Sequence, residues 1–150
     1  MYKRILIPVD GSATSKKALT AALQLARDSG GRLRLLHSVD ELAYLSGFEY
    51  SGDVIRVARD NAAKVLDDAS AMVKAAGVEV DQILVDQPGQ RLGETVSEAA
   101  RSWDADLIVV GTHGRRGFSR MFMGSGAEQV IRVATVPVLV IRGEEPDAKP

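Results

Sequence analysis

The 150-residue chain contains no cysteine. Disulfides, thiolate metal sites and cysteine nucleophiles are therefore excluded, and the composition fits a reducing compartment. Net charge is also nearly absent. The chain has 19 Lys and Arg against 20 Asp and Glu, a formal charge of −1, so no general attraction to nucleic acid or anionic lipid is expected. There are only two histidines, and no metal-binding cluster stands out. No apolar run approaches the roughly 20 residues that span a bilayer. The opening "MYKRILIPVDGS" lacks the apolar core and cleavage site of a secretory signal. Together these absences lead us to expect a cytoplasmic protein.

What remains is ordinary for a soluble domain: 45% hydrophobic and 26% charged residues. This length allows one core that buries roughly 70% of the unfolded surface. "RILIPVD" is a short apolar run ended by Asp-Gly and reads as a strand buried on both faces. Ser12 or Thr14 can cap the helix that follows, and Ala18, Leu19, Ala22, Leu23 and Ala26 recur at helical spacing until Gly30 and Gly31 stop it. "RLRLLHSVD" is a second strand. An irregular stretch at about residues 41–53 holds Tyr44, Phe48 and Tyr50. A long helix then carries Val57, Ala62, Leu66, Ala69 and Val73 and ends at Gly77.

"VEVDQILVD" alternates only in part and reads as a half-exposed third strand. Leu92, Thr95, Val96 and Ala99 mark a shorter helix. "DLIVVGT" is continuously apolar, hence a central fourth strand. Val130, Ile131 and Ala134 are the expected inward residues of the last helix, and "VPVLVIR" is the fifth strand. Such alternation predicts an α/β fold with helices on both faces of an open parallel sheet. Right-handed crossovers then give the order 3-2-1-4-5. One domain is expected over residues 1–142, with a charged, proline-bearing and disordered tail over 143–150.

In this architecture ligands bind beyond the carboxyl ends of the strands, where the strand order reverses. That point lies between the strand ending at Asp10 and the strand ending at Gly111. Between the fourth strand and its helix lies "GTHGRRGFSRMFMGSG", with five glycines and three arginines. Most such loops have only about 2–6 residues. Glycines let backbone approach an anion, and the Gly124, Ser125 and Gly126 segment opens a helix whose free N–H groups favour one. The plainer alternative is a surface loop ending in a Gly-Ser helix cap. The loop has no lysine, so it is not the common Gly-Lys-Ser/Thr phosphate loop. No helix follows "GTHGRRG" directly, so it is not the dinucleotide fingerprint either.

The spacing Gly111, two residues, Gly114, nine residues, Gly124-Ser125 resembles that of the universal stress protein family. Its ATP-binding members carry Gly-x2-Gly-x9-Gly-Ser/Thr. The resemblance runs from "ILIPVDGS" to "VPVLVIR". It implies that Asp10 lies near the nucleoside with Pro8 and Val9 on the pocket floor, and that the backbone of Val39 reads the adenine edge. It implies that Gly111 and Gly114 line ribose and phosphates and that Gly124 and Ser125 hold the phosphate chain, with His113, Arg115 and Arg116 alongside. Gly126 departs from the family pattern, where valine is common, so a backbone contact survives there while side-chain packing on the ligand does not. Any Mg2+ or Mn2+ would arrive with ATP, held mainly by phosphate oxygens.

Simpler roles stand beside these. Asp10 can end its strand in an Asp-Gly turn or bond the next helix. His37, interior to its strand, reads as a packed or satisfied histidine, and Trp103 as packing. Tyr44, Phe48 and Tyr50 close over the adenine side or meet a partner. The order places "VPVLVIR" at a sheet edge, an aggregation hazard that a second copy would cover. A homodimer through the strand between Val136 and Ile141 is therefore expected, as the family resemblance also implies. Three functions compete: a nucleotide-binding stress or signalling protein read by a protein partner, a slow ATP hydrolase, and a dimeric scaffold that binds no nucleotide.

Overall fold

Apolar runs without alternation can be strands only if both faces are covered, and the computed structural model shows how this chain covers them. It describes residues 2–39, 52–86, 90–112 and 125–143. In chain order the elements are β1 (Arg4–Pro8), α1 (Ala13–Ser29), β2 (Arg32–Ser38), α2 (Gly52–Ala75), β3 (Glu79–Val85), α3 (Leu92–Trp103), β4 (Leu107–Gly111), α4 (Ser125–Val133) and β5 (Val138–Ile141). The strands form one five-stranded parallel sheet in the expected order β3-β2-β1-β4-β5.

Side chains alternate across the sheet and build two cores. Ile5, Ile7, Leu33, Leu35, Leu107 and Val109 point to one face, where Ala18, Leu19, Ala22 and Leu23 of α1 and Leu66 and Val73 of α2 cover them. Leu6, Leu36, Ile108 and Val110 point to the other, under Val96, Ala100 and Trp103 of α3 and Ala127 and Val130 of α4. Ile5, Leu6 and Ile7 are all fully buried, and burial of each such side chain stabilises the fold by about 1.5–3 kcal/mol.

The helix ends follow local chemistry. Ser12 caps α1, its hydroxyl accepting from the Ser15 N–H at 3.1 Å. Gly30 ends α1 at φ 72° and Gly77 follows α2 at φ 80°, left-handed conformations that glycine adopts without a Cβ clash. Asp104 ends α3 in the same conformation at φ 58°, although it is not a glycine. Its side chain is of the short polar type that tolerates this region.

β3 is half exposed, as its partial alternation suggested: Glu79, Asp81, Gln82 and Leu84 face solvent. Charges line this edge. Arg34 grips Asp81 through two bonds of 2.7 and 2.8 Å, and Arg32 lies 3.5 Å from Glu79. The hydrogen bond to Asp81 holds the Arg34 guanidinium above its ordinary pKa. Exposed pairs of this kind contribute only about 0.2–1 kcal/mol. Their more useful effect is to blunt a sheet edge against unwanted pairing.

Trp103 is indeed packing: it is buried, and the guanidiniums of Arg4 and Arg34 lie 4.9 and 4.7 Å from its ring centroid. Arg4 Nε also donates to the Trp103 carbonyl at 2.9 Å. Ile131, in contrast, is not inward. Ala127 and Val130 of α4 and Ala134 just past its end form the core-facing stripe at spacings of three and four, and Ile131 falls one step round the helix with 44% of its surface exposed.

Trp103→Ala is expected to lower the unfolding free energy by about 3–5 kcal/mol, measured by urea denaturation followed by circular dichroism. Thr95 carries the opposite expectation. Among the described residues its Oγ1 is the one buried side-chain polar atom without a hydrogen-bond partner. Thr95→Val removes that group at nearly constant shape and should leave stability unchanged or raise it by about 1 kcal/mol.

Candidate functional site

β1 and β4 are neighbours, yet the chain leaves them toward opposite faces. α1 follows β1 onto one core and α4 follows β4 onto the other. The carboxyl ends of these two strands therefore open a crevice, the place where such sheets take ligands.

The wall after β1 is held by an ordered set of hydrogen bonds. The Val9 N–H donates to the Leu36 carbonyl at 2.8 Å, and His37 Nδ1 lies 2.5 Å from the Val9 carbonyl. The Asp10 N–H donates to Ser15 Oγ at 3.1 Å, and Asp10 Oδ1 accepts from the Ser12 N–H at 2.9 Å. Gly11 takes φ 83° within this turn, a conformation that glycine adopts without a Cβ clash. Asp10 thus makes the local bond to the start of the next helix that was one of its two sequence readings. One free donor of the first turn of α1, the Ser15 N–H, is satisfied by Ser12.

The wall after β4 is built by close approach. Gly111 ends the strand opposite Ile141. A Cβ on Gly111 would stand 2.6 Å from Thr14 Cγ2 and 3.3 Å from the Thr14 carbonyl oxygen, so the N-terminal turn of α1 can approach β4 only because position 111 has no side chain. Beyond Gly111, the Thr112 N–H donates to the Ile141 carbonyl at 2.9 Å, and the Gly143 N–H donates to Thr112 Oγ1 at 3.1 Å. Lys17 Nζ donates to the Arg142 carbonyl at 3.0 Å. The chain after β5 therefore lies against both the end of β4 and the start of α1.

α4 begins at Ser125, so Ser125, Gly126 and Ala127 lie in its first turn, where helix N–H groups lack intrahelical acceptors. The first turn of α3 lies beside it. The Gly93 N–H donates to Gln129 Oε1 at 3.0 Å, and a Cβ on Gly93 would meet Gln129 Cβ at 2.5 Å. A Cβ on Gly126 would stand 2.7 Å from Leu92 Cδ2. The missing side chain at Gly126 is therefore directed at α3, and the glycine answers to helix packing.

Of the residues singled out from sequence, Pro8, Val9, Asp10, Val39, Gly111, Ser125 and Gly126 fall in described parts of the chain, at the carboxyl ends of β1, β2 and β4 and the head of α4. Val39 is buried and its N–H donates to the Val85 carbonyl at 2.9 Å, so of its two backbone groups only the carbonyl could read a base edge. His113, Gly114, Arg115, Arg116 and Gly124 lie outside the described residues, as do Tyr44, Phe48 and Tyr50. Sequence reasoning missed the role of Thr14 and the tie from His37 to Val9. Neither has a signal in spacing, because both are contacts between separate elements. Among the described residues no group of three or more His, Asp or Glu side chains could hold a metal ion, and no helix is long and apolar enough to cross a membrane.

Comparison with known proteins agrees with this architecture. The family model described as the universal stress protein family matches residues 1–142. A universal stress protein of Methanocaldococcus jannaschii is 32% identical over 145 residues, covering 95% of this chain and 83% of the relative. A crystal structure of a universal stress protein family member from Burkholderia pseudomallei is 36% identical, with a TM-score of 0.76 over 93% of this chain and 96% of the other. The universal stress protein from Archaeoglobus fulgidus in complex with dAMP is 27% identical, with a TM-score of 0.69 over 93% of this chain and 98% of the other. By its sheet order, the position of its glycine-rich loop and these matches, the chain belongs to the universal stress protein family.

Proposed function

We propose that this protein binds an adenine nucleotide, with ATP as the working ligand, at the crevice between β1 and β4, and acts as a cytoplasmic stress-response or signalling protein whose nucleotide state a protein partner reads. One observation carries the reading. The motif Gly111-x2-Gly114-x9-Gly124-Ser125 leaves the sheet at the crevice and re-enters at the head of α4, where helix N–H groups favour phosphate. The dAMP complex of the Archaeoglobus fulgidus relative supports an adenine nucleotide.

In this reading the backbone from Pro8 to Asp10 is the pocket floor, and the Val39 carbonyl faces the base. Gly111 and Gly114 line the ribose and phosphates. Gly124, Ser125 and Gly126 hold the phosphate chain by backbone N–H groups and the Ser125 hydroxyl. His113, Arg115 and Arg116 lie alongside and offset phosphate charge, and Mg2+ or Mn2+ enters bound to the nucleotide. Glu128, in the first turn of α4 and exposed, offsets part of the helix's pull on an anion. The loop arginines therefore matter to the balance. Asp10 Oδ1 is tied to the Ser12 N–H, which suits a residue that shapes the floor better than one that activates water.

Purified rapidly without added nucleotide and then denatured, the wild-type protein should release an adenine nucleotide identifiable by mass spectrometry. Gly124→Asp, matched for fold by circular dichroism, should release none, because a carboxylate there repels phosphate. Absence of release together with titrated ATP–Mg2+ affinity weaker than about 1 mM, roughly −4 kcal/mol, would contradict the reading.

We also propose a homodimer across β5, through the strand between Val136 and Ile141. The order leaves β5 at a sheet edge, and Ile131, Val133 and Leu139 expose 44%, 40% and 37% of their surfaces on the last helix and strand. A second copy would cover them and complete the edge. Sedimentation velocity at micromolar concentration should show a dimer for wild type and a monomer for Leu139→Asp. A wild-type monomer would contradict it.

A further inference from the structure

His37 lies on β2 with the same facing as Leu33 and Leu35, toward the α1 side of the sheet. Its ring is half-buried, and Nδ1 sits 2.5 Å from the Val9 carbonyl oxygen. A carbonyl oxygen can only accept, so Nδ1 carries the proton and donates. In the neutral ring this leaves Nε2 unprotonated. The preceding residue holds the other side of Val9, since the Leu36 carbonyl accepts from the Val9 N–H at 2.8 Å. Consecutive residues of β2 thus take both backbone polar groups of one residue in the proposed floor.

The consequence reaches Asp10. The carbonyl of Val9 and the N–H of Asp10 belong to one peptide group, and that group is a rigid plane. His37 holds one end of the plane. Ser15 Oγ, on α1, accepts from the other end at 3.1 Å. The plane is therefore pinned between β2 and α1, and its tilt sets where the Asp10 side chain and the next turn begin. Val9 is only 5% exposed, so its carbonyl has little access to water if the imidazole is lost. A buried carbonyl without a partner is costly enough to rotate the plane toward another donor.

We propose that His37 is a positioning residue of the nucleotide site: its Nδ1–H fixes the Val9–Asp10 peptide plane and thereby the pocket floor. This rests on the nucleotide reading above. The role asks for a donor at the Nδ1 position and nothing of Nε2. Asparagine offers such a donor, because its amide nitrogen is attached to Cγ as Nδ1 is. Leucine has a similar branch and no donor.

The test compares wild type, His37→Asn and His37→Leu by calorimetric titration with ATP–Mg2+, alongside nitrogen-15 NMR of the unliganded wild-type imidazole and of the Asp10 amide. His37→Leu should bind about tenfold more weakly and shift the Asp10 amide resonance, while His37→Asn stays within about threefold of wild type. The wild-type imidazole should show its proton on Nδ1. Equal binding by His37→Leu and wild type, His37→Asn as weak as His37→Leu with both folded, or a bare Nδ1 would overturn the role of His37 and leave the nucleotide reading standing. No binding by wild type would overturn the nucleotide reading, and the positioning role with it.

Discussion

The pairing of β1 with β4 is the constraint on which the rest of this structure depends. Only Ile5 with Leu107 and Leu6 with Ile108 are in register, yet all four side chains are buried, two on each face of the sheet. A sheet buried on both faces needs helices on both, and right-handed crossovers place them by winding outward in two directions from this pair. The same reversal that completes the two cores separates the chain paths at the carboxyl ends. The crevice is therefore a by-product of how the core is covered.

Around the crevice, backbone positions are set by neighbours and leave little to local preference. Gly111 admits Thr14, Gly93 admits Gln129, and Gly126 faces Leu92. The first contact ties the start of α1 to β4, and the other two tie α3 to α4 on the opposite face of the sheet. Interiors are packed too closely to absorb an extra methylene without displacement, so a side chain added at Gly111 or Gly93 displaces the helix it meets, whereas at Gly126 it meets the flexible end of Leu92. Three glycines that look alike in sequence thus answer to helix packing, whatever the ligand.

Legibility in the sequence followed the physics of each feature. The strand order could be read because "DLIVV" and "RILIP" are apolar without alternation while the residues of β3 alternate in part. That difference marks β3 as half exposed, while β5, apolar and yet at the other edge, was placed by the right-handed crossovers. Gly30 and Gly77 marked helix ends because left-handed backbone is cheap for glycine, whereas Asp104 gave no such mark. Periodicity placed Val130 and Ala134 inward but also Ile131, since a short helix with apolar residues on two sides does not say which side meets the sheet. The reversal of strand order located the candidate site, and the glycine spacing added a resemblance. Its supporting contacts, His37 to Val9 and Thr14 to Gly111, join residues 28 and 97 positions apart and leave no trace in a linear pattern.

The central claim is that an adenine nucleotide enters at the carboxyl ends of β1 and β4. Its most direct test is a backbone amide NMR map of the protein titrated with ATP–Mg2+. The account predicts that the shifted resonances gather at Val9 to Ser12, Val39, Gly111, Thr112 and the first turn of α4, while Lys3, Arg32 and Asp106 at the opposite end of the sheet stay in place. Shifts confined to that opposite end or to the exposed edge of β3, or no shifts at millimolar ATP, would contradict it.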